Sequence, residues 1–251
     1  MSYDEFVART SWRPGEILAK WSARRILKVA MTNTGLKPTG LQMLEVGVGR
    51  GWLAHAAHGV GITNFIGVEP TATLASIWRP TVPDIEVLEV SLPLLPSRLN
   101  GSMDLVIASN VIEHASNGIE AREWISSILD TVKNGGFIVV VCPDIRDFKQ
   151  YFWDIDWSHS FPTSTSNLVQ IFEDLNCEVT MAKQFRLGSV NSLITSVGFF
   201  LNTVIPTRIL DFLGMLLVNK SLGRGIKAAL IWSYSYVIVK KPLSEAHDVR
   251  S

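Results

Sequence analysis

The segment 41–51 constrains the fold of this chain more than any other part of its sequence. An apolar run ends at Glu45, a turn with three glycines follows, and an apolar helical face begins at Trp52. This order predicts a strand, a tight turn and a helix, with glycines where the backbone passes close to a ligand. The spacing is Gly-x-Gly-x-Gly rather than the Gly-x-Gly-x-x-Gly of dinucleotide sites. The acid before the glycines also disfavours an anionic ligand and favours a cationic or neutral one.

Two later segments place polar residues directly after a predicted strand. The run 64–70 is a short apolar strand that ends at Glu69, where a carboxylate can accept hydrogen bonds from two vicinal ribose hydroxyls. The run 103–108 predicts a buried strand, and Asn110, Glu113 and His114 follow it. Because ligands of open α/β sheets bind at the carboxyl ends of the strands, we expect these three side chains to face the ligand.

A fourth segment, 129–144, predicts a helix that ends at a cap formed by Gly135 and Gly136, with a β-branched strand after it. Together, the four segments resemble the class I S-adenosylmethionine-dependent methyltransferases over roughly residues 41–144. Segment 41–51 resembles their motif I. Segment 103–114 resembles their motif IV, which carries a Glu-His pair in many small-molecule methyltransferases. Segment 129–144 resembles their fifth-strand signature, with Asn134 in place of a proline.

The resemblance implies S-adenosylmethionine as the cofactor and assigns residues to it. The acid of motif I approaches the methionine ammonium group, and the acid after the second strand binds the ribose. Many relatives also carry an aspartate after the third strand for the adenine amino group. Ser91 and Leu92 stand at that place here, so we expect adenine recognition by backbone and apolar contacts. The predicted cofactor-binding residues are Glu45, Gly47, Gly49, Gly51, Glu69, Pro70, Ser91, Leu92 and Asn110.

The whole chain, 1–251, is predicted to be one α/β domain with a doubly wound, mostly parallel seven-stranded sheet of Rossmann-like type. An amphipathic helix over 16–31 belongs to an N-terminal cover, 1–36. The cofactor-binding core is expected over 41–185, with a helix over 167–175 and a strand over 177–185 at its end. The last strand, antiparallel to the others, is expected within 230–241. Parallel strands are predicted at 41–46, 64–68, 85–90, 103–108 and 136–142.

Segment 186–229 separates the last two predicted strands and is apolar, which predicts a helical insertion. A transmembrane span needs about 20 mostly apolar residues, and this run is interrupted near its centre, at Asn202, Pro206, Arg208 and Asp211. Two interpretations remain open: an amphipathic hairpin at a membrane interface, or a helical lid or homodimer face buried against protein. Residues 187–229 are therefore the predicted contact with a membrane surface or with a second copy.

Two histidines are candidates for the general base that a hydroxyl acceptor requires. His114 follows the fourth strand, and imidazole groups ordinarily titrate near neutral pH. His159 lies in the loop after the fifth strand, where relatives often have an aspartate, a histidine and an aromatic residue that face the substrate. A structural role for His114, oriented by Glu113, is the alternative.

Glu113, Trp153 and Trp157 are the predicted substrate residues. Indole rings stack on the apolar face of a sugar or on an aromatic ring, although simple packing explains these two equally well. No metal is predicted, since the spacing of the nearby aspartates matches no metal motif. These aspartates are Asp144, Asp147, Asp154 and Asp156.

Composition disfavours several other classes of protein. The 23 basic and 23 acidic residues balance, so the composition predicts no basic surface for nucleic-acid binding. Cys142 and Cys177 form no disulfide framework, and their apolar surroundings predict buried, inert thiols. The N-terminus has no basic and apolar signal segment. We therefore expect a reducing cytoplasmic location, with membrane association as the alternative if 187–229 lies on a bilayer.

The sequence thus predicts a methyltransferase that acts on a hydroxyl group of a small molecule or glycan, similar to enzymes of bacterial surface-polysaccharide and natural-product pathways. N- and C-methylation stay open, but the lack of an Asn-Pro-Pro-Tyr or Asp-Pro-Pro-Tyr motif disfavours amide and nucleobase acceptors. The alternative function is a non-catalytic module that keeps the cofactor pocket as a scaffold and binds a partner or membrane through the insertion. The glycine spacing disfavours a nicotinamide-dependent dehydrogenase.

Overall fold

The computed structural model describes residues 13–71, 74, 85–186 and 232–243. Two sequence-based expectations therefore lie outside the described residues: the start of the N-terminal cover and the apolar insertion over 187–229.

Helices and strands alternate along the described chain. Helix α1 spans Arg13–Thr34, followed by β1 (Gln42–Val46), α2 (Trp52–Gly59), β2 (Asn64–Val68) and β3 (Glu86–Leu88). Next come β4 (Met103–Ser109), α3 (Gly118–Thr131), β5 (Val132–Pro143) and the short helices α4 (Ile145–Phe148) and α5 (Tyr151–Asp154). Helix α6 (Thr165–Asp174), β6 (Glu178–Phe185) and β7 (Tyr234–Lys240) complete the fold. Short 3-10 turns cover Ser97–Leu99 and Ile112–His114.

The strands form one seven-stranded sheet in the order β3-β2-β1-β4-β5-β7-β6. All neighbouring strands are parallel except β7, which runs antiparallel to both β5 and β6. This confirms the predicted doubly wound, mostly parallel sheet with an antiparallel C-terminal strand. The chain leaves β1 toward β2 on one side and later returns to β4 on the other. The carboxyl ends of β1 and β4 therefore border the crevice where ligands bind in such sheets.

Helices cover both faces of the sheet. Successive strand residues point to opposite faces, so Met43 packs toward α1 and α2, whereas Leu44 packs toward α3 and α6. The central strand β4 is buried on both faces, which explains why it is a continuous apolar run. The core therefore has two halves, one on each side of the sheet.

The helix before β5 ends earlier than the sequence predicts. Helix α3 stops at Thr131, so Gly135 and Gly136 lie inside β5 rather than at a helix cap. The β4–β5 pairing changes register between Met103 and Leu105, and Gly135 adopts φ 79° in the irregular part of β5. The N–H of Gly135 donates to the carbonyl of Lys241 at 2.9 Å. The glycine pair thus accommodates a strand irregularity that ties β5 to the end of β7.

Two other sequence-based expectations concern the thiols and the membrane. Cys142 and Cys177 are both free and buried, as predicted, and burial raises the pKa of each thiol. Among the described helices, none is long and apolar enough to cross a bilayer.

Candidate active site

A cavity of about 440 Å³ lies at the carboxyl ends of β1, β2 and β4. This is the crevice where the strand order reverses, and its volume is typical of a small-molecule site. Side chains and backbone from both halves of the sheet line it. These residues are Val46, Gly47, Gly49, Val68, Glu69, Pro70, Thr71, Leu74, Val90, Ser91, Leu92, Asn110, Val111, His114, Trp124 and Ser158.

The glycine turn between β1 and α2 forms one wall of the cavity. Gly47 has φ +77°, and a Cβ atom there would lie 2.4 Å from Cγ2 of Val111, so a side chain is excluded. At Gly49, φ is +54° and a Cβ atom would meet nothing within 4 Å. The backbone N–H groups of Gly47 and Val48 donate to the carbonyl of Val68 at 2.8 and 3.2 Å. These hydrogen bonds hold the turn against β2. Its glycines present backbone atoms, without side chains, to the cavity.

Glu69, directly after β2, presents a buried carboxylate to the same cavity. Its Oε2 accepts a hydrogen bond from the N–H of Gly49 at 2.8 Å, and its Oε1 accepts one from the N–H of Thr71 at 3.1 Å. A carboxylate has about four lone-pair sites, so a ligand hydroxyl can be bound without breaking either contact. Glu69 thus both fixes the glycine turn and offers an acceptor to a ligand.

Two predicted cofactor residues, Glu45 and Gly51, do not line the cavity. Glu45 lies two residues after Met43, so strand alternation turns its side chain toward the face of the sheet that α2 covers. Burial raises the pKa of Glu45 well above its ordinary value, the Glu69 carboxylate raises it further, and the N–H of Ala54 opposes both. Among the described residues, Oε2 of Glu45 has no hydrogen-bond partner. Gly51, with φ 73°, caps the start of α2.

The remaining predicted cofactor residues line the cavity: Pro70 after β2, Ser91 and Leu92 after β3, and Asn110 after β4. Asn110 adopts φ 56°, and its N–H donates to the carbonyl of Val141 at 2.8 Å, which ties this loop to β5. Trp124 of α3 also lines the cavity, and sequence reasoning did not identify it. Its indole Nε1 is buried and has no acceptor within the described part of the chain.

His114 lines the cavity at the end of its 3-10 turn. Its Nδ1 lies 2.9 Å from Oγ of Ser158, and the Ser158 hydroxyl donates to Oδ1 of Asp156 at 2.6 Å. Because a carboxylate oxygen takes the single hydroxyl proton, Nδ1 must donate to Ser158, and Nε2 keeps its lone pair. Burial lowers the pKa of His114, His159 lowers it further, and Asp156 opposes these effects. The imidazole is therefore neutral near pH 7.

His159 and Glu113 lie beside His114 but outside the cavity lining, and both are almost completely buried. The rings of the two histidines meet edge to face with centroids 5.0 Å apart. Nδ1 of His159 lies 2.6 Å from the carbonyl oxygen of Phe152, which can only accept, so Nδ1 carries the proton. His159, predicted to be catalytic, is thus held beside His114 and outside the cavity lining.

Glu113, predicted to contact the substrate, is turned into the core. Successive side chains of a 3-10 turn point about 120° apart, so Glu113 and His114 face different directions. Burial raises the pKa of Glu113 to about 8, and neither carboxyl oxygen has a hydrogen-bond partner among the described residues. Its backbone carbonyl accepts from the N–H groups of Ser160 and Phe161 at 2.9 and 3.0 Å. Glu113 thus anchors the loop that carries Ser158.

Glu113, His114 and His159 are also residue types that bind metals, and one donor atom of each lies within 4.8 Å of the others. Bonds to zinc measure about 2.0–2.2 Å, so neighbouring donors of a tetrahedral site lie about 3.3 Å apart. Nε2 of His159 and Oε1 of Glu113 are 4.0 Å apart, which is wider. The cluster has the residue types of a metal site, but these two donor atoms are farther apart than neighbouring zinc ligands. That the protein binds no metal stays a prediction.

Trp153 and Trp157 lie on the surface and not in the cavity lining, with exposures of 48% and 68%. Ring contacts within the described residues join Trp153 to its neighbour Phe152. The two indoles are accessible to a ligand that extends beyond the cavity, because they belong to the segment that also carries Ser158.

Sequence reasoning missed the contacts that link Ser158 and Asp156 to His114, although both residues stand in the loop that it singled out. Ser158 is 44 residues from His114 along the chain, and nothing in the local pattern links the two. The Asp-x-Ser spacing is a weak signal, since Oδ1 of Asp156 also accepts from the N–H of Ser158 at 2.9 Å, as in a local turn.

Comparison with known proteins supplies the family. A family model described as a methyltransferase domain matches residues 17–182. No curated protein matches the sequence. A solved S-adenosylmethionine-dependent methyltransferase from Mesorhizobium loti is 14% identical, covers 89% of this chain and 98% of its own, and has a TM-score of 0.59. One from Archaeoglobus fulgidus is 21% identical, covers 87% and 94% respectively, and has a TM-score of 0.56.

A third solved structure contains the cofactor. Phosphoethanolamine N-methyltransferase 2 from Haemonchus contortus, in complex with S-adenosyl-L-methionine, is 16% identical. The match covers 96% of this chain and 60% of that chain, with a TM-score of 0.61. The cavity of this chain fits the cofactor in two respects: Gly49 leaves open space beside bare backbone, and Glu69 offers a buried carboxylate. The chain belongs to the methyltransferase-domain family and is an S-adenosylmethionine-dependent methyltransferase.

Proposed function

We propose that this enzyme transfers the methyl group to a hydroxyl of a small molecule or glycan. The observation that carries the proposal is His114, a neutral imidazole at the cavity whose Nδ1 is held by Ser158, which leaves Nε2 as a base. A hydroxyl is a poor nucleophile at neutral pH and needs such a base. A neutral amine already has a nucleophilic lone pair and needs it less.

Several residues of the cavity are proposed to bind the cofactor, which supplies an electrophilic methyl group. Glu69 accepts hydrogen bonds from the ribose hydroxyls, and Gly47 and Gly49 let the backbone approach the amino-acid end. Glu45 acts from the other side of the glycine turn, where a nearby ammonium group would lower its pKa and compensate its unpartnered Oε2. The remaining contacts are proposed for Gly51, through the start of α2, and for Pro70, Ser91, Leu92 and Asn110, around the adenine.

The proton of the acceptor hydroxyl is proposed to move to Nε2 of His114 while the new C–O bond forms and the bond from the methyl carbon to sulfur breaks. The imidazole then becomes positively charged. Asp156 favours this charged form, because its carboxylate raises the pKa of His114 and contacts it through Ser158. Ser158 and Asp156 are therefore positioning residues. The ring of His159 packs edge to face against the ring of His114 and supports it.

The acceptor is proposed to extend from the cavity toward the exposed indoles of Trp153 and Trp157. A sugar ring packs its apolar face on such a surface, so these indoles favour a glycan or an aromatic acceptor over a very small one. Glu113 is not a contact in this proposal, since it is buried and holds the loop instead.

Calorimetric titration with S-adenosylhomocysteine, with NAD as the control ligand, is the first experiment. We expect micromolar binding of the first ligand alone. The enzyme is then incubated with S-adenosylmethionine and matched hydroxyl and amine acceptors, drawn from glycans, phenols and their amino analogues, while S-adenosylhomocysteine release is measured. Turnover with hydroxyl acceptors supports the proposal. Turnover with amines only would overturn the choice of acceptor atom.

The substitution His114→Ala tests the base. We expect turnover to fall by about 10²-fold or more, since a positioned base contributes at least that much, with S-adenosylhomocysteine affinity within about twofold. His58→Ala is the control, because His58 is exposed on α2 and far from the cavity lining. Unchanged turnover in His114→Ala would remove His114 as the base.

A further inference from the structure

The charge of this chain is balanced overall but unevenly distributed. The 23 basic and 23 acidic residues cancel, yet the segment 17–68 holds a single acid, Glu45, which is buried. The same segment contains six Lys and Arg residues: Lys20, Arg24, Arg25, Lys28, Lys37 and Arg50. The surface formed by α1, α2 and the loop between α1 and β1 is therefore basic.

Four of these cations lie on one surface. Lys20, Arg24 and Lys28 follow at intervals of four along α1 and are exposed, so they form a stripe on one helix face. Lys37 is exposed in the loop that follows α1. Arg24, Lys28 and Lys37 together line a groove of about 690 Å³ between α1 and α2, which we name the basic groove.

The floor of the basic groove is aliphatic. It is formed mainly by Leu27, Met31, Leu36, Ala56 and Val60, and no Trp, Tyr or Phe lines it. Val60 is 51% exposed. Leu27 and Ala56 are buried, and Met31 and Leu36 are partly buried. An exposed aliphatic residue beside a row of cations is typical of surfaces that contact anionic lipid, where phosphate and aliphatic groups adjoin. Nucleic acid is favoured instead by aromatic rings for base stacking.

Within the part of the chain that the structure describes, the cations of the groove have no anion that neutralises them. In the described ranges, no ion pair involves Arg24, Lys28 or Lys37. Like charges four residues apart disfavour a helix, and of the three stripe cations only Lys20 has an acid, Glu16, one turn before it. A negatively charged surface would relieve this repulsion.

The basic groove lies at the opposite edge of the sheet from the cofactor cavity. Residues 36–38 precede the start of β1, and Val60 follows the end of α2, so the groove adjoins the amino ends of the strands. The cofactor cavity lies at their carboxyl ends. Occupation of the groove therefore leaves the cavity open.

We propose that the basic groove is a docking surface for an anionic phospholipid membrane. The lipid phosphates contact Arg24, Lys28 and Lys37, and the aliphatic part of the interface covers the groove floor. The described residues that line this surface all lie between 24 and 60 in the sequence, and the proposal does not depend on the acceptor proposed for the enzyme.

Co-sedimentation with vesicles tests this surface. We expect the full chain to bind phosphatidylcholine vesicles that contain phosphatidylglycerol, and not vesicles of phosphatidylcholine alone. Binding should weaken steeply between about 0.05 and 0.5 M salt, because the screening length shortens to a few ångströms over that range. The double variant Arg24→Gln/Lys28→Gln should bind about 25-fold more weakly, at about fivefold, or about 1 kcal/mol, for each cation near an anionic surface.

The matched control is Lys149→Gln/Lys183→Gln, which removes the same charge from exposed positions outside the groove. We expect its vesicle affinity within about twofold of the parent, and unchanged thermal unfolding and S-adenosylhomocysteine affinity in both variants. Equal binding to neutral vesicles, equal loss in the two variants, or tighter binding to a random DNA duplex than to the anionic vesicles would each overturn the proposal. Since the cofactor titration is separate, such a failure leaves the methyltransferase function untouched.

Discussion

Glu69 connects two parts of the cavity wall through one buried side chain. It accepts from the N–H groups of Gly49 and Thr71, so it holds the turn against which a ligand would lie. The sequence predicted its position at the end of the second strand. The contact with Gly49, 20 residues earlier, became evident only in the folded chain.

The substitution Glu69→Ala is expected to weaken S-adenosylhomocysteine binding by tenfold or more. Loss of a hydrogen bond to a charged group costs about 1.5–3 kcal/mol, and the substitution also frees the glycine turn. Calorimetric titration measures the affinity. Glu173→Ala, at an exposed position of α6, is the control and should bind as the parent does. An affinity within about twofold in Glu69→Ala would rule out the ribose contact.

The His114–Ser158–Asp156 chain gives a prediction about pH dependence. The pKa of His114 is lowered by burial and by His159, so kcat/KM should fall only below the ordinary histidine value near 6.5 as the imidazole gains its proton. Asp156 raises the pKa of His114, so Asp156→Asn should lower it further. The acid limb of the pH profile should therefore move to lower pH while kcat falls, because the imidazolium loses its carboxylate.

Substitutions at Ser158 complete this test. Ser158→Ala removes the acceptor for Nδ1 and should reduce kcat about tenfold, in line with the loss of one positioning contact to a base. Ser158→Thr keeps the hydroxyl and should restore most of the activity. Ser160→Ala is the control at an exposed neighbouring position. If Ser158→Ala and Ser160→Ala gave the same pH profile as the parent, Ser158 would have no positioning role.

At the scale of elements, strand β7 links the two ends of the described chain. The hydroxyl of Tyr236 donates to the carbonyl of Ile26 in α1 at 2.9 Å, across 210 residues of sequence. Tyr236 is completely buried, and it packs against Phe185 of β6. The side chain of Tyr236 in β7 therefore contacts both α1 and β6.

The substitution Tyr236→Phe keeps the ring and removes the hydroxyl. We expect the free energy of unfolding to fall by about 1 kcal/mol, the usual contribution of one buried hydrogen bond. Denaturant unfolding measures this change. Tyr151→Phe, at a partly buried position of α5, is the control and should change stability little. An equal effect of the two substitutions would indicate that the contact with Ile26 adds no stability.

The regular elements were predictable because their signals are local. Apolar and β-branched runs predicted the strands, and helical spacing predicted α1 and α6 close to their observed ranges. The prediction for Gly135 and Gly136 was wrong, because a glycine pair suits both a helix cap and an irregular strand. The pairing of β5 with β4 decided between them.

At the scale of the whole molecule, Asp144 joins three parts of the fold at the end of β5. Its buried carboxylate accepts from Arg146, from Thr165 at the start of α6 and from Ser235 in β7. Burial alone would raise the pKa of Asp144, but these hydrogen bonds outweigh burial and lower it to about 2. Asp144 therefore connects β5, α6 and β7 through a carboxyl group whose pKa is lower in the folded chain than in the unfolded one.

Acid unfolding should reflect this group. Because the pKa is lower in the folded state, the contribution to stability is present above about pH 4 and is lost as the pH falls toward 2. The contribution is on the order of 2 kcal/mol. Asp144→Asn should be less stable at pH 7 and lose less stability between pH 4 and 2. Denaturant unfolding across pH measures both, with exposed Asp130→Asn as the control.

The sequence by itself determined the family resemblance, the order of the elements and half of the residues that line the cavity. These follow from local patterns, namely glycine spacing, an acid or amide at each strand end, and periodic burial. For parallel strands, such residues meet at one edge of the sheet whatever the details of packing.

Only the tertiary structure decided which way each side chain points. Glu45 and Glu113 stand beside cavity residues in the sequence, yet both side chains are buried outside the cavity lining. The contact of Ser158 with His114 depends on a loop held by the carbonyl of Glu113. Such contacts between distant segments arise from packing in three dimensions, and no local sequence pattern contains them.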